Sequence, residues 1–200
     1  MTNSDPAAPD GGSASPVPGD TNTLAAMLRE ALQTLFLALV VFALLRQVMQ
    51  NYRIEGPSMQ PNLWEGQFLI VNRLAYRTAE IQRGDIVVLN HPTAARHDLI
   101  KRVVGLPGEH LELIRGQVWI DGQPIDEPYV QEPSLYSQAA VTIPSDHVFV
   151  MGDNRNNSND SRRWGSLSIR SIVGKAVFCY WPPSQWGAVA RQADVATPDV

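Results

Sequence analysis

The chain has 200 residues, 44% of them hydrophobic and 18% charged, so it can build a folded core but is too short for a large multidomain machine. Its 16 basic and 20 acidic residues give a net charge of −4, which argues against a nucleic-acid partner. The single cysteine, Cys179, excludes an intrachain disulfide and a multi-cysteine metal site. Only Lys101 and Lys175 could supply a neutral amine for catalysis, because every other basic residue is arginine.

The first 49 residues divide into two segments of opposite composition. Residues 1–23 are rich in Pro, Gly and Asp and almost lack large apolar side chains, so we predict a disordered tail there. The segment 24–49 contains an uncharged apolar run from Ala31 to Leu45, with charged residues at both ends whose long side chains can reach the headgroups. With its flanks this segment is long enough to cross a bilayer, and we predict a transmembrane anchor over 24–49.

Two other interpretations of the apolar segment are weaker. A cleaved secretory signal would need small residues before a cut site, and the sequence RQVMQNYRIEG after Leu45 lacks that pattern. A core helix of a soluble domain would show a polar stripe, whereas this helix is apolar on all sides apart from Gln33 and Thr34. An uncleaved anchor therefore fits best.

Residues 50–200 show the pattern of a β-rich domain. Short β-branched runs alternate with Gly and Pro: QFLIV, DIVVL, LIKRVV, HLELI, QVWI, HVFVM and IVGKAVFCY. Asp121 and Gly122 stand between two such runs, which is typical of a tight hairpin. The predicted fold class is mainly β, an antiparallel sheet body behind one N-terminal helix.

Ser58 lies in an unusual turn just after the predicted anchor. Pro57 and Pro61 restrict the backbone of Gly56-Pro57-Ser58-Met59-Gln60-Pro61, and Pro57 has no N–H to donate. Ser58 is therefore held in a rigid, non-helical conformation. Taken alone, a serine in such a turn is more often structural than catalytic.

Lys101 lies in the predicted strand 99–104. Strand alternation places Leu99, Lys101 and Val103 on one face. If that face points into the core, desolvation lowers the pKa of the amine and makes it usable as a general base. The alternative is an edge strand whose lysine extends to solvent.

The polar segment 152–162 follows a predicted strand. It does not fit a calcium loop, because Arg155 occupies a ligand position and no glutamate follows at the required spacing, so we predict no metal site. The four histidines form no close metal pair either. An Asx-rich surface loop is the simple interpretation of this segment.

Four motifs behind one anchor resemble, in order, those of the type I signal peptidases: GPSMQPNL, RGDIVVL, KRVVGLPGE and GDNRNNSNDSRRWG. The resemblance covers roughly residues 24–181. It implies a membrane-anchored serine endopeptidase with Ser58 as nucleophile and Lys101 as general base. It also implies that Ser158 holds the lysine, and that Asp160 and Arg162 form a supporting ion pair.

Two positions depart from the family pattern. Gly56 stands where some members carry a hydroxyl that stabilises the oxyanion, so the Ser58 backbone amide is the one local donor that the sequence identifies. Asn156 stands where the family often has Asp. We expect this second change to be tolerated, because Asn keeps a similar hydrogen-bonding shape.

The resemblance also implies partners and a location. The substrates are expected to be preproteins with small residues before the cut site, which agrees with the A-x-A pattern of signal peptides. No cofactor is expected, the N-terminus is expected in the cytoplasm and the body outside it, and Trp181 and Trp186 are candidates for contact with membrane lipid. Two alternatives are a membrane-tethered β domain that binds without catalysis and a self-cleaving Ser–Lys protease.

Overall fold

The computed structural model describes residues 21–92 and 98–189. The chain forms two compact units, one within residues 1–44 and the other within 45–200. Most of the tail predicted over 1–23 lies outside the described residues, and its last three residues begin the first helix.

Helix α1 (Thr21–Val48) corresponds to the predicted anchor over 24–49. Good helix formers, mainly Leu and Ala, occupy its length, and no proline interrupts it. Its apolar side chains are exposed, as shown by Leu28 at 55% and Phe36 at 69%. Among the described residues, the 26-residue stretch Thr23–Val48 is the one helix long and apolar enough to cross a membrane.

The described part of the body consists mainly of strands joined by short turns. The strands are β1 (Met49–Arg53), β2 (Phe68–Asn72), β3 (Ile86–Asn90), β4 (Asp98–Gly105), β5 (His110–Ile114), β6 (Gln117–Ile120), β7 (Gln123–Pro124), β8 (Gln138–Thr142), β9 (His147–Met151), β10 (Leu167–Ser168), β11 (Ile172–Trp181) and β12 (Gly187–Ala188). The short helices are α2 (Ala75–Thr78) and α3 (Ser161–Trp164), with 3₁₀ turns at Arg155–Asn157, Ile169–Ser171 and Pro183–Gln185.

Two antiparallel sheets organise these strands. The larger follows the order β1-β2-β11-β3-β4-β9-β10, with β12 pairing on β11, and the smaller follows β7-β6-β5-β8. The predicted fold class, mainly antiparallel β with one apolar N-terminal helix, is confirmed. In the larger sheet β4 lies between β3 and β9, so the strand that carries Lys101 is internal and has no free edge.

Alternating apolar residues of both sheets form the core. One cluster packs Leu69 and Val71 of β2 against Ile86 and Val88 of β3, and a second is built around Leu111 and Leu113 of β5. Burying such β-branched and leucine side chains contributes roughly 1.5–3 kcal/mol each. The sheet that positions the site is therefore held by the same apolar runs that the sequence displays.

The predicted hairpin is present between β6 and β7. Asp121 and Gly122 both have positive φ, 48° and 80°, as a tight hairpin turn with two left-handed residues requires. The turn is stabilised further because Asp121 Oδ1 accepts a hydrogen bond from the backbone N–H of His110 at 2.9 Å.

Candidate active site

Ser58 lies in the loop between β1 and β2, and backbone hydrogen bonds fix both ends of that loop. The Ile54 N–H donates to Gln67 O at 2.9 Å, and the Gly66 N–H donates to Ile54 O at 3.0 Å. Next to Ser58, the side chain of Met59 is 1% exposed and packs in the core. The half-buried Ser58 is thus presented from a loop that is closed by hydrogen bonds and anchored by a core methionine.

Lys101 lies on β4 and reaches the Ser58 hydroxyl. Its Nζ donates to Ser58 Oγ at 2.8 Å and to the Ile100 carbonyl oxygen at 2.8 Å. The residue is 2% exposed, because β4 is internal and this stretch is covered on both faces. The structure therefore brings together the serine and the lysine that the sequence singled out, across 43 positions of chain.

The environment of Lys101 favours the neutral amine. Desolvation by burial lowers the pKa from its ordinary value of 10.5 to about 8, and the positive charge of Arg162 acts in the same direction. The carboxylates of Asp160 and Asp153 oppose the shift without cancelling it. An amine with this pKa is neutral in roughly a tenth of the molecules at pH 7.

The loop after β9 docks directly onto the Ser58 turn. The Asn154 N–H donates to Ser58 O at 3.1 Å, and Asn154 Nδ2 donates to Pro57 O at 3.2 Å. A Cβ on Gly152 would lie 2.5 Å from Ser58 O and 2.4 Å from Ser158 Oγ, so only glycine permits this close approach. The two serines therefore flank Gly152.

Ser158 is buried beside this contact, at 9% exposure, and the structure shows no hydrogen bond between it and Lys101. Within the described part of the chain, its Oγ makes no hydrogen bond of standard geometry. The two close contacts of Lys101 Nζ go to Ser58 and Ile100 instead. Ser158 still lies near enough to Asp160 to help lower the pKa of that carboxyl.

Asp160 and Arg162 form the predicted ion pair. Arg162 donates from Nε to Oδ1 at 2.8 Å and from Nη2 to Oδ2 at 2.7 Å. Burial alone would raise the pKa of the Asp160 carboxyl, but the hydrogen bonds and charge of Arg162 outweigh it and hold the pKa below its usual value. Asp160 also accepts the Gly152 N–H at 3.0 Å, so the pair fixes the loop that touches Ser58.

A second, more deeply buried ion pair lies behind the site. Arg102, next to the lysine but on the other face of β4, donates from Nε and Nη2 to Asp153 at 2.8 and 2.6 Å. Both side chains are 1% exposed, and the Arg102 guanidinium lies 4.1 Å from the ring centroid of Tyr129. Asn62 donates to the same carboxylate at 2.9 Å.

Arg155 extends this network to a third pair. It donates to both oxygens of Glu127 at 2.7 and 2.6 Å, and Tyr129 donates to Glu127 at 2.8 Å. From the sequence, Arg155 only excludes a calcium loop, and Arg102, Asp153 and Glu127 have no predicted role. A charged residue at a strand position that should be buried, as at Arg102, was the available signal.

The two departures from the family pattern have local explanations. Gly56 has a φ of 76°, a left-handed conformation that favours glycine, and a side chain there would meet open space. Asn156 Oδ1 accepts the Leu135 N–H at 2.9 Å, while its Nδ2 donates to Pro133 O at 3.2 Å. An aspartate could make the first of these hydrogen bonds but not the second.

The second lysine is not part of this site. Lys175, on β11, pairs with Asp85 at 2.7 Å, and Asp85 also accepts a hydrogen bond from Tyr76 Oη at 3.0 Å. In the described ranges, no group of three or more His, Cys, Asp and Glu side chains could hold a metal ion.

Comparisons with known proteins identify the family of the chain. A family model described as signal peptidase, peptidase S26, matches residues 28–181. The probable signal peptidase I-1 of Synechocystis sp. is 44% identical, covering 80% of this chain and 86% of that protein. The signal peptidase I of Bacillus caldolyticus is 39% identical, covering 76% and 90% respectively.

A crystal structure of a signal peptidase I from Enterococcus faecalis is also similar, at 29% identity and a TM-score of 0.44, covering 48% of this chain and 97% of that chain. The family model covers well over half of the chain, and the two relatives named above are matched over most of their lengths. The chain therefore belongs to the signal peptidase family, peptidase S26, and is a peptidase.

Proposed function

We propose that this peptidase removes signal peptides from exported preproteins with Ser58 as nucleophile and Lys101 as general base. The observation that carries the proposal is the 2.8 Å contact between Lys101 Nζ and Ser58 Oγ. A serine hydroxyl is inert near neutral pH unless a neighbouring base accepts its proton, and the buried amine supplies that base.

One lysine serves both halves of the reaction. The neutral amine accepts the Ser58 proton while Oγ attacks the scissile carbonyl carbon and forms a tetrahedral intermediate. The resulting ammonium then donates this proton to the leaving amine as the peptide C–N bond breaks. Water attacks the ester that remains on Ser58, again losing a proton to Lys101, and the signal peptide is released as a free acid.

The Ser58 N–H is the proposed donor to the oxyanion. It donates no hydrogen bond to another described backbone group, so it is free for the substrate oxygen. A backbone donor fixed in this way stabilises charge that develops only in the transition state. Gly56 contributes no hydroxyl, so this amide carries the local stabilisation that a side chain provides in some family members.

Asp160 and Arg162 are proposed as positioning residues, and Ser158 stays a predicted one. Asp160 orders Gly152 through the backbone, and Gly152 in turn packs against Ser58. The hydroxyl of Ser158 also lies close to this glycine, next to Ser58 O. Such residues act by holding the base and nucleophile in line.

The substrate assignment follows from the family. Relatives are named signal peptidase I, and signal peptides carry small residues at the first and third positions before the cut. We therefore infer a preference for A-x-A type sites. A preprotein with one of these small residues replaced by Phe should be cut at least about tenfold more slowly.

The domain organisation we propose is a tail over 1–23, an anchor over 24–49 and a catalytic body over 50–200, with the tail cytoplasmic and the body on the far side. Support comes from helix α1 and from the need to meet cut sites as preproteins emerge. The count of positive charges favours the opposite orientation, but by a margin of one arginine. Protease added to sealed, right-side-out spheroplasts should cut the body or the segment just after Met49, and complete protection until lysis would contradict this topology.

Contact of the body with lipid is a separate proposal. Trp181 and Trp186 are 53% and 66% exposed, and indole side chains favour the headgroup region of membranes. Replacing both by Ser should weaken binding of the enzyme body to lipid vesicles without changing cleavage of a short soluble peptide.

The catalytic pair Ser58 and Lys101, called the dyad below, is tested by three variants of the detergent-solubilised full chain. Each variant acts on a preprotein, and the cut site is determined by mass spectrometry. Ser58→Ala and Lys101→Met should each lower the cleavage rate by about a thousandfold or more while the protein stays folded. Lys175→Arg is the matched control, since it keeps the charge opposite Asp85 and should retain the wild-type rate. Near-normal cleavage by either dyad variant would exclude the assignment.

A further inference from the structure

A cavity of about 250 Å³ opens beside Ser158. One wall consists of Ser158 and three arginines, Arg155, Arg162 and Arg163. The rest of the lining is the uncharged segment 136–138, so no carboxylate lines the cavity itself. A cavity with this lining is suited to a negatively charged group of modest size.

The three arginines differ in how far their positive charges are compensated by carboxylates. Arg155 and Arg162 are mostly buried and hold bidentate contacts with Glu127 and Asp160, so their charges are largely compensated. Arg163 is exposed, and in the residues that the structure describes its guanidinium forms no ion pair. The uncompensated positive charge of the cavity therefore comes from Arg163.

Ser158 gives an independent indication of a missing partner. Its Oγ is fully shielded from solvent and makes no hydrogen bond of standard geometry among the described residues, although it lies near Asp160. An acceptor atom of a ligand in the cavity would give this buried hydroxyl a partner. Because a hydroxyl can donate and accept at once, this contact is compatible with one to Lys101.

The cavity shares Ser158 with the loop that contacts the Ser58 turn. Lys101 donates its proton to the leaving amine. This amine is the first atom of the mature segment, so that segment begins beside Nζ. Asp160 accepts the Gly152 N–H at 3.0 Å, and Gly152 lies against Ser58 O, so the loop that lines the cavity adjoins Ser58 and Lys101. Ser158 borders the cavity and also packs against Gly152, whose other contact is Ser58 O.

We propose that this cavity binds a carboxylate side chain, Asp or Glu, of the mature segment shortly after the cut site, with Arg163 as the residue that recognises it. The inference rests on the proposed function, because it needs the substrate to run from Ser58 past Ser158. It assigns to Arg163 a role in substrate selection that is separate from the chemistry of the dyad.

The test compares matched peptide substrates that carry Glu or Gln at the first, second or third position after an A-x-A site. At low salt, the wild-type enzyme should show a kcat/KM about three- to tenfold higher for Glu than for Gln at one or more of these positions. Arg163→Glu should abolish or reverse this ratio, while kcat/KM for the Gln peptides stays within about twofold. Arg170→Ala, which removes an exposed arginine elsewhere, should leave the ratio unchanged.

Several outcomes would overturn the inference. The inference is wrong if kcat/KM is equal for the Glu and Gln peptides at all three positions, or if the ratio is unchanged in Arg163→Glu. Either result shows that the cavity does not recognise the substrate side chain. Loss of binding to anionic lipid vesicles by Arg163→Glu with an unchanged peptide ratio assigns the charge to a lipid headgroup instead. Failure of the wild type to cut any of the peptides contradicts the proposed function itself, which keeps the two hypotheses apart.

Discussion

Burying the ammonium of Lys101 should cost the protein stability, and replacing Lys101 by Met should recover it. Met retains most of the apolar stem of the side chain but carries no charge. The pKa of the amine is about 8 in the folded protein against an ordinary value of 10.5. At about 1.4 kcal/mol per pKa unit, protonated Lys101 destabilises the folded state by about 3 kcal/mol at any pH below 8.

The pH dependence of this cost has a definite sign. Between pH 8 and 10.5 the unfolded chain binds the Lys101 proton and the folded chain does not, so the wild type gains stability as the pH rises through this window. The stability advantage of Lys101→Met should therefore shrink by about 2 kcal/mol between pH 6.5 and pH 9.5. Lys101→Met also loses the hydrogen bonds of the amine. This loss changes the stability advantage of the variant at each pH but contributes little to the difference between pH 6.5 and pH 9.5.

Denaturant unfolding of the full chain in neutral detergent, at both pH values, measures the effect. Lys175→Met is the control with the opposite sign, because it leaves the 1% exposed carboxylate of Asp85 without its ion pair and should destabilise the fold. A stability gap between wild type and Lys101→Met that does not change between the two pH values would refute the claim that burial lowers the pKa of Lys101 to about 8.

Three further substitutions test the surroundings of the dyad. Gly152→Ala should lower kcat/KM at least about tenfold, measured with a preprotein, because its methyl would lie 2.5 Å from a backbone oxygen that cannot move away. Arg102→Met should destabilise the fold by about 3–5 kcal/mol in denaturant unfolding, since Asp153 would be left buried and unpaired. Asn156→Asp should cost only about 1 kcal/mol, because it loses the hydrogen bond to Pro133 and keeps the other one. A loss above about 3 kcal/mol would contradict that last account.

Much of the fold could be predicted because buried strands can be recognised in the sequence as runs of β-branched residues. Strands β2, β3, β4, β5, β6, β9 and β11 all coincide with such runs. Strand β1 was missed because MQNYR is polar and follows the helix directly, and β8 was missed because QAAVT has mostly exposed, small side chains. Edge strands of this kind owe their conformation to the neighbour they pair with, which local sequence does not encode.

The site was predictable in its residues more than in its contacts. A serine between prolines and a lysine in an apolar strand could be recognised locally, but their 2.8 Å approach depends on the order of strands in the sheet. The buried pair Arg102–Asp153 joins residues 51 positions apart, and no short pattern reports such a partner. The contact between Ser158 and Lys101 stays a prediction, since the two hydrogen bonds of Lys101 Nζ in the structure go to Ser58 and to the Ile100 carbonyl oxygen.

The pH dependence of single-turnover cleavage tests the central claim, that Lys101 must be neutral to activate Ser58, most directly. With the enzyme in excess over a preprotein, the cleavage rate should rise about tenfold per pH unit at acid and neutral pH and level off above the Lys101 pKa of about 8. A cleavage rate that stays constant from about pH 6 to pH 9 would contradict the account, because a base with this pKa cannot act equally well when it is fully protonated.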